Sequence, residues 1–583
     1  MPLSSIPQEL LDNIFEQLSP YRCSKVIVEP DSLTSQKALA RCTRVCRALH
    51  EPAARVLWRQ QHLNYVLRAI LSNDSAVGRP GGLVDVDKLS AHGTTGARSH
   101  NRPFGYIFLT RPLTAHEWSR FEHYARFVRV LYYLSTDTID PSVFFILQQQ
   151  ARGRPLFPNI RELQWLHATP ELLCIVTPAV CILRLPKDYG PAHRSDLEAS
   201  GGRMPRRAFQ QILPHVLHCL PGLQELELPP VAHEAFWSSF TSTPGSPCFI
   251  GQSIRTLHIC ESGRDLLTAA LPALSTMTEL TELRIKLTDV SAGSDFDAYA
   301  YDRWDTSYIH TFARLKHLWI DALTVHTMAS MVKAIDAPHV EIMELSCLCT
   351  PIAGHDTRIG ESLHTAFDLL RRRNAASIWK LHLSFRHLDL PLLPTAGLAV
   401  NAPFPSLTSP LLELRRLRAI EISQERRDHL EVSLNAPAIV SAWPTLRTLS
   451  LLGQYATPRF LQAVARTCSH IESLTVFTLT WDFLDPAKLA ASHFYCVDPA
   501  GTGLNTGASA LRCLRIDGTF KVRESGPIRA IASFLDSLFP RLDIDRCVAP
   551  RDDGKSEDPG SWPDIMGEVA KLQLARQRNM RCS

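Results

Sequence analysis

The sequence predicts an α/β chain. A small all-helical module opens it, and a curved stack of short parallel strands and helices follows, with strands inside and helices outside. Three observations carry this expectation. Helix-periodic apolar residues fill roughly the first sixty positions. One short apolar pattern then recurs in order from about residue 157. Amphipathic helical segments lie between its copies.

The opening module reads Ile6-Pro7-Gln8-Glu9-Leu10-Leu11-Asp12-Asn13-Ile14-Phe15-Glu16-Gln17-Leu18. Leu10, Ile14 and Leu18 form one stripe at helical spacing, and Leu11 with Phe15 forms a second stripe on a neighbouring face. Ala38-Leu39-Ala40-Arg41-Cys42-Thr43-Arg44-Val45-Cys46-Arg47 and Leu57-Trp58 complete it. A helix apolar on two faces in so small a unit needs two covers: its own core and a partner.

These residues resemble the F-box, in the form found in fungal F-box proteins: a Pro-led Leu-x-x-x-Ile-x-x-x-Leu helix, a Val-Cys-Arg segment and a closing Leu-Trp. Leu49 stands where that family usually has Trp, and the connector from Ser19 to Gln36 is longer than usual. The resemblance implies docking on the Skp-type adaptor of a cullin–RING ubiquitin ligase. It places Pro7, Leu10, Ile14, Leu18, Val45 and Cys46 at or beside the adaptor contact. The alternative is an ordinary helical cap on a larger domain.

Composition narrows the rest. With 583 residues, the chain exceeds one ordinary core unless it grows by stacking. A net charge of +4 spread over that length leaves no electrostatic footprint for nucleic acid. Arg371-Arg372-Arg373 and Arg426-Arg427 read as solvated faces. No run approaches the roughly 18 apolar residues of a membrane span, and no secretory signal is expected. The fifteen cysteines are therefore expected as reduced thiols in a cytoplasmic or nuclear protein. They lack zinc-finger spacing, so neither metal nor cofactor is expected.

The recurring pattern is apolar, two variable, apolar, one variable, apolar. Its copies are Ile160-Leu163-Trp165, Val180-Leu183-Leu185, Leu223-Leu226-Leu228, Ile254-Leu257-Ile259, Leu280-Leu283-Ile285 and Leu315-Leu318-Ile320. The series continues with Val340-Met343-Leu345, Ile378-Leu381-Leu383, Leu417-Ile420-Ile422, Leu446-Leu449-Leu451, Ile471-Leu474-Val476 and Leu511-Leu514-Ile516. The last two positions alternate as a strand with one buried face, and the first turns the chain into it. Pro158, Pro221, Pro338 and Pro444 end the preceding helices. Helices are predicted around Phe209–Leu217, Leu363–Leu370 and Pro458–Ala465. The pattern resembles degenerate leucine-rich repeats, without their Asn or Cys ladder. A doubly wound sheet is the rival, although it would not require one strand grammar throughout.

The domain organisation expected is therefore 1–62 helical module, 63–156 loop plus a linking and capping helix, 157–548 repeat array, and 549–583 polar tail with a C-terminal helix. The capping helix lies in the text from Trp118 to Leu131, with Trp118, Phe121, Tyr124, Ala125 and Val128 on one face, and leads into the strand-like Val130-Leu131-Tyr132-Tyr133-Leu134. The tail helix is expected from Ile565 to Arg578, with Met566, Val569, Leu572 and Leu574 on its apolar side. Asn73 to Pro103 and Lys187 to Arg207 read as loops. The insertion from Asp289 to Tyr308 sets Asp295 beside Tyr299, Tyr301 and Trp304, an anchor surface for a protein client.

No phosphate loop, His-Glu-x-x-His or Gly-x-Ser-x-Gly elbow occurs. Gly501 to Gly507 reads as a connector, and a Cys347–His382 encounter on neighbouring strands stays open. The function expected is a substrate receptor of a Skp–cullin–F-box ligase, binding the adaptor and a protein client without performing bond chemistry. A scaffold uncoupled from ubiquitin transfer and a hidden hydrolase are the alternatives.

Overall fold

The structure, a computed structural model, describes residues 7–19, 30–70, 107–109, 111–134, 139–166, 168–185, 206–229, 236–237, 252–261, 269–287, 309–348, 356–386, 409–425, 442–468, 470–485, 487–489, 510–518, 520, 522, 525–548 and 560–582. The chain divides into two units, Met1–Cys260 and Glu261–Ser583.

The first unit opens with three helices, α1 (Gln8–Gln17), α2 (Pro30–Val45) and α3 (Arg47–Leu57). Part of the long connector is thus helical, since α2 begins at Pro30. A short strand β1 (Gln60–His62) and helix α4 (Leu63–Ile70) follow, then α5 (Ala115–Ala125), β2 (Val130–Tyr133) and α6 (Pro141–Ala151). The unit continues with β3 (Glu162–Trp165), α7 (Leu172–Ile175), β4 (Ile182–Arg184), α8 (Arg206–His218), β5 (Glu225–Glu227) and β6 (Thr256–Glu261). Each of β1 to β6 pairs parallel with the next in sequence order.

Local chemistry sets the helix limits. Thr114 caps α5 in a capping box with Glu117, and Asp140 caps α6 ahead of Pro141. Arg152, at φ 51, ends α6 in the left-handed region, and Gly153 follows at φ 80.

The strand series begins earlier than residue 157. β1 and β2 precede it, so the segment expected to cap the stack supplies its second strand, and the helical module runs straight into the first. Polar Gln60-Gln61-His62 carries no apolar alternation, which hid β1 from periodicity.

A single backbone device recurs at strand entrances in both units. The Arg59 carbonyl accepts from Arg129 N–H at 2.7 Å and Val130 N–H at 2.9 Å. The Arg129 carbonyl does the same for Arg161 and Glu162, and the Arg161 carbonyl for Cys181 and Ile182. The Cys181 carbonyl takes Gln224 and Glu225, and the Gln224 carbonyl takes Arg255 and Thr256. In the second unit the acceptors are Thr281, Lys316, Glu341, Trp379, Arg418, Arg447 and Glu472.

That second unit places β7 (Glu282–Leu287), β9 (His317–Ala322), β11 (Ile342–Leu348), β12 (Lys380–Arg386), β13 (Ala419–Glu425), β14 (Thr448–Ala456), β15 (Ser473–Leu479) and β16 (Cys513–Ile516) side by side, all parallel. β8 (His310–Thr311) and β10 (Ile335–Asp336) form a separate parallel pair. Leu283, Leu318, Met343, Leu381, Ile420, Leu449, Leu474 and Leu514 stand in one cross-strand column and are all buried. Ile285, Ile320, Leu345, Leu383, Ile422, Leu451 and Val476 form a second buried column. Leu163, Leu183, Leu226 and Leu257 form the matching column of the first unit. These are the predicted motif positions. Pairing slips once, between Leu451 and Tyr455, where Gly453 adopts φ 90.

Helices Arg206–His218, Asp356–Asn374 and Pro458–Thr467 extend over the three predicted segments. The C-terminal helix, Trp562–Cys582, differs in its face: Ile565, Met566 and Val569 are buried, whereas Leu572 and Leu574 are exposed. The Arg371-Arg372-Arg373 run is not a plain solvated face. Arg373 donates to the carbonyls of Val332, Lys333 and Ile335 at the end of helix Val325–Ala334, while Arg371 bridges Asp368 and Glu413.

Leu383→Ala, within the buried column, is expected to destabilise the second unit by about 3 kcal/mol in urea unfolding, against less than about 0.5 kcal/mol for Ser384→Ala on the opposite face. Equal effects would contradict the assignment of faces.

Candidate docking face and a polar strand ladder

The helical module builds its core from Leu11, Phe15, Leu39, Ala53 and Val56, with Leu18, Cys42, Leu49 and Leu57 packed against it. Leu49, where the family usually has Trp, is thus an inward residue. Arg55 pairs with Asp12 at 2.7 Å and Arg59 with Glu16 at 2.5 Å, fastening α1 to the end of α3. Both pairs are solvent-washed, so they orient more than they stabilise. Cys46 breaks α2 from α3 in an extended conformation, and His50 Nδ1 reaches back to the Thr43 carbonyl at 2.8 Å. Trp58 stacks on Tyr124 with ring centroids 4.4 Å apart, tying the module to α5.

This core leaves apolar groups over. Leu10 is 52% exposed, Ile14 53% and Val45 66%. Pro7 is exposed and Cys46 half-buried. Leu18 differs from the other stripe members, because it leans on the core cluster. The outward stripe of α1 is therefore Leu10 and Ile14, each one position before the buried Leu11 and Phe15. Asp295, Tyr299, Tyr301 and Trp304, expected from the sequence to contact a client, lie outside the described residues, as do Gly501 to Gly507.

The non-core face of the second unit carries a polar ladder that periodicity did not single out. His317 Nδ1 lies 3.6 Å from Glu282, and its Nε2 lies 3.2 Å from Glu344, off the line of a directed hydrogen bond. His382 Nδ1 stands 4.0 Å from the other Glu344 oxygen. The His317 imidazole beside it, outweighing burial and helped by His382 and Lys380, holds the Glu344 carboxyl below its ordinary value. The Cys347–His382 encounter that the sequence left open does not form: Cys347 is buried opposite Phe385, whereas His382 stands opposite Glu344 on the other face. Among the described residues, no group of three or more His, Cys, Asp or Glu is arranged to hold a metal ion. No described helix is long and apolar enough to cross a membrane.

Two outcomes are expected here. Phe15→Ala should cost about 3 kcal/mol and melt the helical module, whereas Leu10→Ala should leave its circular dichroism and urea midpoint nearly unchanged. A comparable loss from both would place Leu10 in the core. Glu344→Gln should destabilise the second unit by about 1 kcal/mol near neutral pH. Because the folded carboxyl titrates low, its contribution is full above the ordinary value of 4.5 and is lost as pH falls through the lowered one. Urea unfolding of both proteins across that range checks it, and a pH-independent difference would contradict it.

Comparison with known families locates the opening module. An F-box-like family model matches residues 3–64, a span that covers α1 to α3 and β1. No curated protein matches the chain. The chain thus carries an F-box-like domain at its amino end, and its last matched residues lie just past the first strand of the parallel series.

Proposed function

We propose that this chain is the substrate-receptor subunit of an SCF-type cullin–RING ubiquitin ligase. Its F-box-like module would seat on a Skp-type adaptor, and the adaptor would bring the cullin. The observation that carries this reading is the solvent-exposed pair Leu10 and Ile14 on a helix whose own core is already filled, within residues that match the F-box-like family. Pro7, Val45 and Cys46 complete the adaptor contact, with Leu18 supporting it from the inner side.

The parallel strands and their helices then act as a leucine-rich-repeat-like array that holds a protein client. Repeated register, one buried column after another, and the recurring carbonyl device support that reading. The insertion with Asp295, Tyr299, Tyr301 and Trp304 is the proposed client anchor. The chain itself makes and breaks no bonds. It raises the effective concentration of a client lysine at the charged conjugating enzyme. The setting is the cytoplasm or nucleus, with no nucleic acid or membrane partner. The fungal form of the motif is the one it follows.

Leu10→Glu and Ile14→Glu are each expected to abolish capture by the adaptor while circular dichroism stays unchanged. The milder Ile14→Ala should cost about 2 kcal/mol, roughly 30-fold in Kd. Unchanged capture by both charge variants would remove the contact. Co-purification of a cullin with the intact chain separates a ligase subunit from a scaffold that stops at the adaptor.

A further inference from the structure

The final strand of the second unit is covered by the short helix Ile544–Val548, and two cysteines face each other there. Cys513 opens β16, and Cys547 lies on the covering helix. Their settings are reciprocal. Cys513 Sγ lies 3.5 Å from the carbonyl oxygen of Arg546, the residue before Cys547. Cys547 Sγ lies 3.8 Å from the carbonyl oxygen of Arg512, the residue before Cys513. Leu514 N–H donates to Cys547 Sγ at 3.3 Å, so each sulfur sits against the backbone that carries the other.

The backbone around the pair is held from several sides. Asp543 N–H donates to the Arg512 carbonyl at 2.7 Å, Arg515 Nε to the Arg546 carbonyl at 2.9 Å, and Trp562 Nε1 to the Cys547 carbonyl at 3.3 Å. Both residues are free thiols.

We infer that Cys513 and Cys547 form a redox dithiol that a small hydroperoxide converts to a disulfide, stapling β16 to the helix that covers it. The electrostatics fit an asymmetric pair. The neighbouring Cys547 thiol, with Arg515, Ser473 and Arg546 adding to it against burial, lowers the Cys513 thiol to about 6, while the Cys513 thiol and burial push Cys547 up. Cys513 is therefore the sulfur that carries the negative charge. Its thiolate attacks one peroxide oxygen, the O–O bond breaks, and the departing hydroxide takes a proton to become water. Cys547 then attacks the Cys513 sulfenic sulfur. The S–O bond breaks, and the second hydroxide leaves with the Cys547 proton as water. Two thiols and one hydrogen peroxide become one disulfide and two waters.

Burial selects the oxidant. Cys513 is 2% exposed and Cys547 3%, which shuts out oxidised glutathione, a bulky disulfide, and restricts the proposed oxidant to one as small as hydrogen peroxide.

Peptide mapping of the full chain tests this. The folded protein is treated with hydrogen peroxide, denatured in N-ethylmaleimide and cut with trypsin under non-reducing conditions. The tryptic peptides Cys513–Arg515 and Cys547–Arg551 should leave the alkylated pool together and appear joined, and dithiothreitol should restore both. Oxidised glutathione should leave them alkylated. Cys547→Ser should divert Cys513 to a sulfenic acid that dimedone traps, a readout that serves even if the variant is less stable. Joined peptides from the folded wild-type chain establish the pair. Alkylation of both cysteines after peroxide, or cross-links of either to other cysteines instead, overturns it.

Discussion

One carbonyl per turn, accepting two successive N–H groups of the next strand, is the constraint on which this architecture rests. In the first unit the device starts at Arg59 and passes through Arg129, Arg161, Cys181 and Gln224. The second unit runs it from Thr281 to Glu472, and Asp543 N–H then donates to the Arg512 carbonyl one strand further. It uses backbone atoms alone, so the intervening loops and helices are free to vary in length while the strands stay level. Levelness is what lets single leucines, one or two per strand, form continuous buried columns.

The amino-terminal module is subject to the same constraint. Its third helix ends two residues before Arg59, the first acceptor, so the helices are seated on the opening strand and not hung from a linker. Arg59 also pairs through its side chain with Glu16 on α1. Within the module, a core of five buried residues is satisfied by the inner faces of the helices. Among the described residues, nothing covers Leu10 and Ile14. A surface at this position is held at a fixed orientation to the first strands.

The strand grammar made most of the fold legible. In β7, β9 and β11 to β15 the last two apolar residues of each motif fall in the two buried columns, because period-2 burial on one face leaves a direct mark in sequence, while Ile516 of the last copy is only half-buried. β1 left no such mark: Gln60, Gln61 and His62 are half-buried and polar, and the backbone pairing that recruits them depends on Arg59 and β2. The C-terminal helix was mis-phased for a related reason. Leu572 and Leu574 look apolar in isolation, yet Ile565, Met566 and Val569 are the residues that meet the core. On α1, spacing separated two stripes but not their depths, and Leu18 joined the inner cluster. The Glu344 ladder and the Cys513–Cys547 pair bring together residues from different turns, which no local spacing announces.

Hydrogen exchange on the intact chain, with and without a purified Skp-type adaptor, tests the central claim most directly. The account predicts that adaptor slows exchange across Gln8–Gln17 and around Val45, and leaves the strands of the second unit as they were. Protection appearing on those strands with α1 unchanged, or no protection anywhere, would contradict it.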